Sequence, residues 1–289
     1  MDLIGIVLIN YHSELETIQF IKNELYHINY KNKIVIVNNS NSVESNNILE
    51  YNLQMEGLID LLGISIFIIS KNENLGYAKA NNFGALFLKE KFSTNYILFS
   101  NTDITFKDNN VVDILVDKLK LLPEDIAVIG PRVIGLDGHD QSPHSKIPFI
   151  RYFAWRLFPF LRGKVSFLKR KETKYSDYVI YEGYCYWVSG CFMIVKSSLF
   201  FNANMFDEYT FLYGEESILA ERLKNNNNFM YIYPKVEIIH KEGGTTRNSF
   251  TSKKLKQYLL SSSYYYYVNY LGVSKYLINL LKALDRINN

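Results

Sequence analysis

Four short apolar runs, each shut off by a polar cluster, constrain this chain more than anything else in it. Residues 3–9 run into Asn10-Tyr11-His12-Ser13, and residues 33–37 into Asn38-Asn39-Ser40. Residues 64–69 lead to Lys71-Asn72-Glu73-Asn74-Leu75-Gly76, and residues 96–99 to Ser100-Asn101-Thr102-Asp103. Runs this short and this continuously apolar read as strands buried on both faces, as in a parallel sheet. Helically spaced segments follow them at residues 14–27, 43–55, 77–91 and 109–122; the first places Leu15, Ile18, Ile21 and Leu25 on one face. Strand and helix in alternation, with short connections, predict a parallel sheet with right-handed crossovers. Ligands of such sheets lie outside the carboxyl ends of the strands. The four polar clusters should therefore meet at one edge, rich in donors and suited to a nucleotide.

The fourth cluster delivers a carboxylate, Asp103, to that edge, with Asn101 and Thr102 beside it. Such a group suits a hard divalent ion that keeps waters and borrows phosphate oxygens. The same three residues also make an ordinary strand-ending turn. No G-x-G-x-x-G follows the first strand and no P-loop lysine motif is present, which disfavours a dinucleotide dehydrogenase and a P-loop NTPase. Of 289 residues, 48% are hydrophobic and 21% charged, as in ordinary globular proteins, and a net charge of +3 is too small to argue for nucleic acid. Cys185 and Cys191 form neither a metal spacing nor a disulfide framework, so a reducing cytoplasm is expected. There is no basic leader, and no apolar run approaches the about 20 residues that cross a bilayer.

The second half changes character. A short strand at residues 126–129 precedes Gly130-Pro131-Arg132, and residues 184–195 are strand-like around Gly190. Phe211-Leu212-Tyr213-Gly214-Glu215-Glu216 opens a helix to about Asn225; short strands at 231–233 and 236–240 end in His240, and a helical tail follows.

Taken in order, these pieces resemble glycosyltransferase family 2, and within it the rhamnosyltransferase-like enzymes of bacterial polysaccharide assembly, such as O-antigen or capsule. The resemblance is carried by Asn10-Tyr11, Val37-Asn38-Asn39-Ser40, Asn74-Leu75-Gly76-Tyr77 with Asn82, and Asn101-Thr102-Asp103 as the D-x-D-type element. Gly130-Pro131-Arg132 with Gln141, Ser189-Gly190-Cys191, Phe206-Asp207-Glu208, Gly214-Glu215-Glu216, and His240 with Gly243-Gly244 complete it. Each motif is weak and the ordered set is strong.

The resemblance implies an α/β fold of GT-A type: a Rossmann-like domain with a mostly parallel central sheet flanked by helices, spanning residues 1–250, and a helical C-terminal tail at 251–289. Residues 1–125 or so would form the nucleotide half and 126–250 the acceptor half. It implies an inverting transfer, by single displacement, from a dTDP- or UDP-sugar to a glycan acceptor, lipid-linked at the inner face of the membrane. Mg2+ or Mn2+ would be held by Asp103 and His240. Asn10, Tyr11, Asn38, Ser40, Asn74, Gly76, Asn82, Asn101, Thr102, Asp103 and Gly190 would bind the nucleotide sugar. Glu216 would be the general base, at a helix start whose backbone N–H groups favour its ionised form, with Glu215 bracing the loop or meeting the acceptor. Asn38 stands where the family usually has a base-contacting Asp; its amide oxygen still accepts from a pyrimidine N3–H, without charge. The usual Glu-Asp pair is Glu215-Glu216 here. The rivals are a silent glycan-binding module and a nucleotidyltransferase, whose Gly-rich phosphate loop is absent after the first strand.

Between Lys146 and Lys174, nine basic residues face one acid, Glu172, among large aromatics. Tyr258, Tyr264, Tyr265, Tyr266, Tyr267 and Tyr270 add a second aromatic group in the tail. Together they predict peripheral attachment to an anionic membrane surface. No RNA-binding motif accompanies them, so no nucleic-acid partner is expected.

Overall fold

The structure is a computed structural model and describes residues 2–58, 65–157, 181–241 and 250–287. The expected rhythm is present: β1 (Leu3–Asn10), β2 (Lys31–Asn38), β3 (Ser65–Ser70) and β4 (Tyr96–Ser100) lie parallel in the order β3-β2-β1-β4. Alternation along the strands loads both faces. Ile4, Ile6 and Leu8 of β1 and Ile34 and Ile36 of β2 pack under α1 (Glu14–Phe20), α2 (Val43–Met55) and α4 (Val111–Leu121). Val7, Val35 and Val37 point the other way, toward α3 (Gly76–Phe92). A π-helical turn, Ile21–Leu25, extends α1. Burying each such aliphatic side chain contributes roughly 1.5–3 kcal/mol, so no strand of this half tolerates a register slip.

Beyond β4 the sheet becomes mixed. The remaining strands are β5 (Ile104–Phe106), β6 (Ile126–Gly135), β7 (Asp140–Ser142), β8 (Gly183–Cys185), β9 (Phe192–Lys196) and β10 (Phe229–His240). The full order is β3-β2-β1-β4-β9-β6-β10-β5, with β7 on β6 and β8 on β10. β9 runs antiparallel between β4 and β6 and joins the two halves into one sheet.

Two strand expectations are corrected here. The strand from Ile126 does not stop at Ile129 but continues through Gly130-Pro131 to Gly135. The two short strands ending at His240 are one strand of 12 residues. The prolines explain both. Tyr233 pairs with Pro131, and the register then jumps to Glu237 opposite Arg132, so Pro131 and Pro234 share one irregularity where the ladder is already interrupted. The strand-like stretch around Gly190 is likewise two strands, β8 and β9, with Ser189-Gly190 between them.

The helices of the second half are α5 (Phe149–Leu157), α6 (Ser197–Asn202), α7 (Glu215–Asn225), α8 (Ser252–Asn269) and α9 (Lys275–Ile287). The tail helices α8 and α9 build a small core of their own: Tyr264, Tyr266 and Tyr267 pack with Ile278, Leu281 and Ile218 of α7, and with Phe149, Tyr152 and Phe153 of α5. This corrects the expectation that the tail tyrosines face lipid headgroups. Tyr267 is 3% exposed, and Tyr258 stacks on Phe211 instead. Of the basic stretch, Lys146 pairs with Glu221 and Arg156 with Asp285, while Arg162 to Lys174 fall outside the described residues. Among the described residues no helix is long and apolar enough to cross a membrane.

Candidate active site

Topology brings the first two functional side chains together. β5 pairs antiparallel with β10, with Ile104 opposite His240. Asp103 therefore sits beside the end of β10, where its carbonyl accepts from the Lys241 amide at 3.0 Å. The two side chains converge, His240 Nε2 to Asp103 Oδ1 at 3.3 Å. The other ring nitrogen, Nδ1, donates to Gln141 Oε1 at 2.7 Å, which fixes the ring and aims Nε2 at the carboxylate. Burial alone would raise the Asp103 carboxyl, but the hydrogen bond and charge of His240 hold it below the usual carboxylate range. Burial alone would lower His240; its bonds to Asp103 and Cys191 push it up to about 10. Asn101 is 3.4 Å from His240 Nε2, and its amide is tied to the Cys191 carbonyl at 2.8 Å.

One carboxylate and one oriented ring nitrogen, which would give up its proton when a metal binds, fit a divalent ion that takes its other ligands from a diphosphate and water, and the nitrogen donor favours Mn2+ over Mg2+. No cluster of three or more His, Cys, Asp or Glu that could hold a metal occurs among the described residues.

The acidic pair sits at the start of α7. Glu216 Oε1 accepts from the Gly190 amide at 3.0 Å, and Tyr77 donates its hydroxyl to the Gly190 carbonyl. A Cβ at Gly190 would lie 2.5 Å from Glu216 Oε1 and 3.0 Å from the Tyr77 hydroxyl, so only glycine lets the carboxylate seat there. Glu215 is 2% exposed, and its Oε1 is buried without a hydrogen-bond partner. Burial first, and then the charge of Glu216, push the Glu215 carboxyl up to about 8. Glu216 is also raised, by burial, which outweighs the Gly190 hydrogen bond and the helix N-terminus. The backbone N–H groups at the helix start favour the ionised form, as expected, but burial outweighs them.

A cavity of about 900 Å3 runs along this edge. It gathers Tyr11, Asn74, Gly76, Asn101, Thr102, Asp103, Gly190, Glu215, Glu216 and His240 from the expected set. Asn10, Asn38, Ser40 and Asn82 stand behind its wall. Asn10 is fully buried and donates to Asn38 Oδ1 at 3.0 Å and Ser40 Oγ at 3.2 Å. Asn38 Oδ1 also accepts from Ser45 Oγ and the Ser40 amide, so its oxygen is already occupied. Asn82 pins Phe206 through both backbone groups and also reaches Glu208. These four fasten the ends of β1 and β2, and the loop before α7.

The wall itself includes Asn39, absent from the expected set. It donates to Asn74 Oδ1 at 2.8 Å and accepts from the Leu75 amide at 2.7 Å. Gly76 has φ +70°, and a Cβ there would lie 2.4 Å from the Phe211 carbonyl, which accepts from the Tyr77 amide. Gln141 and Asn39 sat inside recognisable motifs; what was missing was which of two adjacent amides turns inward.

Polar clusters converging on one sheet edge, an Asp–His pair and a carboxylate at a helix start define a glycosyltransferase of GT-A architecture. The chain belongs to glycosyl transferase family 2, whose family model matches residues 6–196. It is 29% identical over 219 residues to rhamnosyltransferase WbbL of Escherichia coli K12, covering 74% of this chain and 76% of that protein. It is 22% identical over 244 residues to the low-salt glycan biosynthesis hexosyltransferase Agl10 of Haloferax volcanii, covering 84% and 68%. Two solved structures share the fold. Mannosyltransferase PcManGT of Pyrobaculum calidifontis, in complex with GDP-Man and Mn2+, has a TM-score of 0.59 at 11% identity. GalNAc-T7 with UDP, GalNAc and Mn2+ has 0.58 at 12%. Those matches cover 94% and 91% of this chain, which spans 65% and 47% of those longer proteins.

Proposed function

We propose that this glycosyltransferase is inverting and metal-dependent, and moves a rhamnosyl or other hexosyl group from a dTDP- or UDP-sugar to a hydroxyl of a lipid-linked precursor of a bacterial surface polysaccharide, O-antigen or capsule. The observation that carries the reading is a single cavity in which the Asp103–His240 pair and the Gly190-held Glu216 face the same space. Tyr11, Asn39, Asn74 and Gly76 take the nucleotide end; Asn38, with its oxygen occupied, supports that wall rather than reading the base. Asp103 and His240 would hold Mn2+ or Mg2+, which when bound neutralises the leaving diphosphate as a Lewis acid. Glu216 accepts the proton of the acceptor hydroxyl as that oxygen attacks the anomeric carbon opposite the diphosphate. A carboxylate raised by burial is a stronger base than a solvated one, which suits this task. Glu215 orients the acceptor. A single displacement needs no covalent nucleophile.

The test is turnover of UDP-glucose, UDP-N-acetylglucosamine and dTDP-rhamnose with Mn2+ or with excess EDTA. Loss of turnover in EDTA and in Asp103→Ala is expected; full turnover in EDTA would sink the metal assignment. Work in the cytoplasm at the inner membrane face is part of the same reading. Co-sedimentation with anionic but not neutral vesicles at low salt supports it, and failure with both removes it.

A further inference from the structure

His144 and Trp187 form a pair that the catalytic residues do not explain. Their rings stack with centroids 3.7 Å apart and 15° between planes. Two backbone hydrogen bonds lock the segments that carry them, His144 amide to Trp187 carbonyl at 2.9 Å and the reverse at 3.4 Å. A purely structural stack would be sealed in the core, yet both rings are half-buried and line the cavity that holds Glu216. Burial lowers the His144 pKa, so the imidazole is a flat neutral surface rather than a cation.

The chain orders this part of the cavity. From Trp187 it passes Ser189 to Gly190, whose amide holds Glu216, and then Cys191, whose carbonyl holds the Asn101 amide beside Asp103. Glu216 is thus attached between the aromatic pair and the Asp103–His240 pair. Trp187 and Gly190 are three positions apart, a reach of at most ~11 Å. In a single displacement the acceptor arrives opposite the leaving diphosphate, and Trp187 lies on the other side of Gly190 in the chain from Cys191, which holds Asn101 beside Asp103. The same cavity is lined by hydroxyls as well, among them Tyr186, Ser263 and Tyr266. Flat apolar rings beside hydroxyls match a pyranose, which has a C–H face and a polar rim.

We infer that the His144–Trp187 pair is the platform on which the acceptor sugar, a pyranose, stacks with its attacking hydroxyl toward Glu216. This rests on the glycosyltransferase reading above and adds the subsite and the class of ligand that fills it.

The chain has two tryptophans, Trp155 and Trp187. In Trp155→Phe the emission reports Trp187 alone, and it is titrated with octyl β-glycosides of glucose, N-acetylglucosamine and galactose. At least one glycoside is expected to shift or quench that emission saturably. With the same glycoside as acceptor, Trp187→Ala should raise the acceptor KM at least tenfold while the affinity for nucleotide sugar, measured without acceptor, stays within twofold. Trp187→Phe should recover part of the loss, which a general folding defect would not allow. An emission unmoved by any glycoside that the wild type uses as acceptor overturns the assignment, as does an unchanged acceptor KM in Trp187→Ala. Loss of the glycosyltransferase reading looks different: no nucleotide sugar is consumed by the wild type, whatever Trp187 emission does.

Discussion

At the scale of single residues, the site depends on which neighbour turns inward. Glu216→Gln is expected to keep nucleotide-sugar binding and lose transfer by ~10²-fold or more, the scale of a missing general base. A crippled Glu215→Gln beside a near-normal Glu216→Gln would move the base one position. Gly190→Ala should be as damaging as the loss of the base itself. Its Cβ would crowd Glu216 Oε1 at 2.5 Å, and a displacement of about 1 Å costs ~10²-fold in a positioned group. Kinetics alongside a thermal melt check this, since the effect should fall on kcat and leave the fold. Asp103 is legible at the end of a readable strand, whereas Glu216 and His240 come from the ordered family resemblance; all three line one cavity. The sequence could not separate Asn38 from Asn39, because the two adjoin at the end of β2 and only the buried hub of Asn10, Ser40 and Ser45 decides which amide is consumed.

At the scale of elements, the loop before α7 is held by the tail. Asp207 accepts from Tyr265 at 2.9 Å, from Tyr270, from the Tyr209 amide at 2.9 Å, and pairs with Arg222 at 3.0 Å. Ser262 of α8 donates to the Leu212 carbonyl at 3.1 Å, three residues before Glu215. Burial would raise the Asp207 carboxyl, but bonds from Tyr270, the Tyr209 amide and Tyr265, with the charge of Arg222, hold it below the usual range. A depressed folded-state pKa contributes stability above the unfolded value and loses it as pH falls through the folded one. The wild type should therefore lose stability from about pH 4 downward, and Asp207→Asn should lose less over that window while being less stable at pH 7. Urea melts at pH 3 to 7 measure this, and identical slopes for both proteins would count against it. Composition pointed the tail tyrosines at lipid because it cannot tell a ring that meets headgroups from one that meets Ile218 and Phe149. The alternating strands and helices of the first half were legible because burial on both faces leaves a continuous apolar signature. β6 and β10 were not, because prolines that read as breaks occupy an irregularity already in the ladder.

At the scale of the whole molecule, one cavity draws its walls from the strand ends of the first half, the 187–191 segment, α7 and α8. UDP with Mn2+ should raise the melting temperature more than either alone, and a hundredfold excess over Kd corresponds to about 2.7 kcal/mol. Asp103→Ala should abolish the difference between UDP with Mn2+ and UDP without it; a difference that persists would place the ion elsewhere. The contribution of α8 also bears on biosynthesis. A chain leaves the ribosome amino-terminal portion first, and a domain generally folds as a unit once its parts are present. The nucleotide wall of Tyr11, Asn39, Asn74 and Gly76 precedes β4 in the chain, whereas His240 ends β10, the wall formed by Leu255, Leu259 and Tyr266 comes from α8, and the clamp on Asp207 comes from α8 and Tyr270 just after it. A nascent chain would thus possess its nucleotide wall well before a finished catalytic chamber, so competence for transfer waits until α8 has been made and docked.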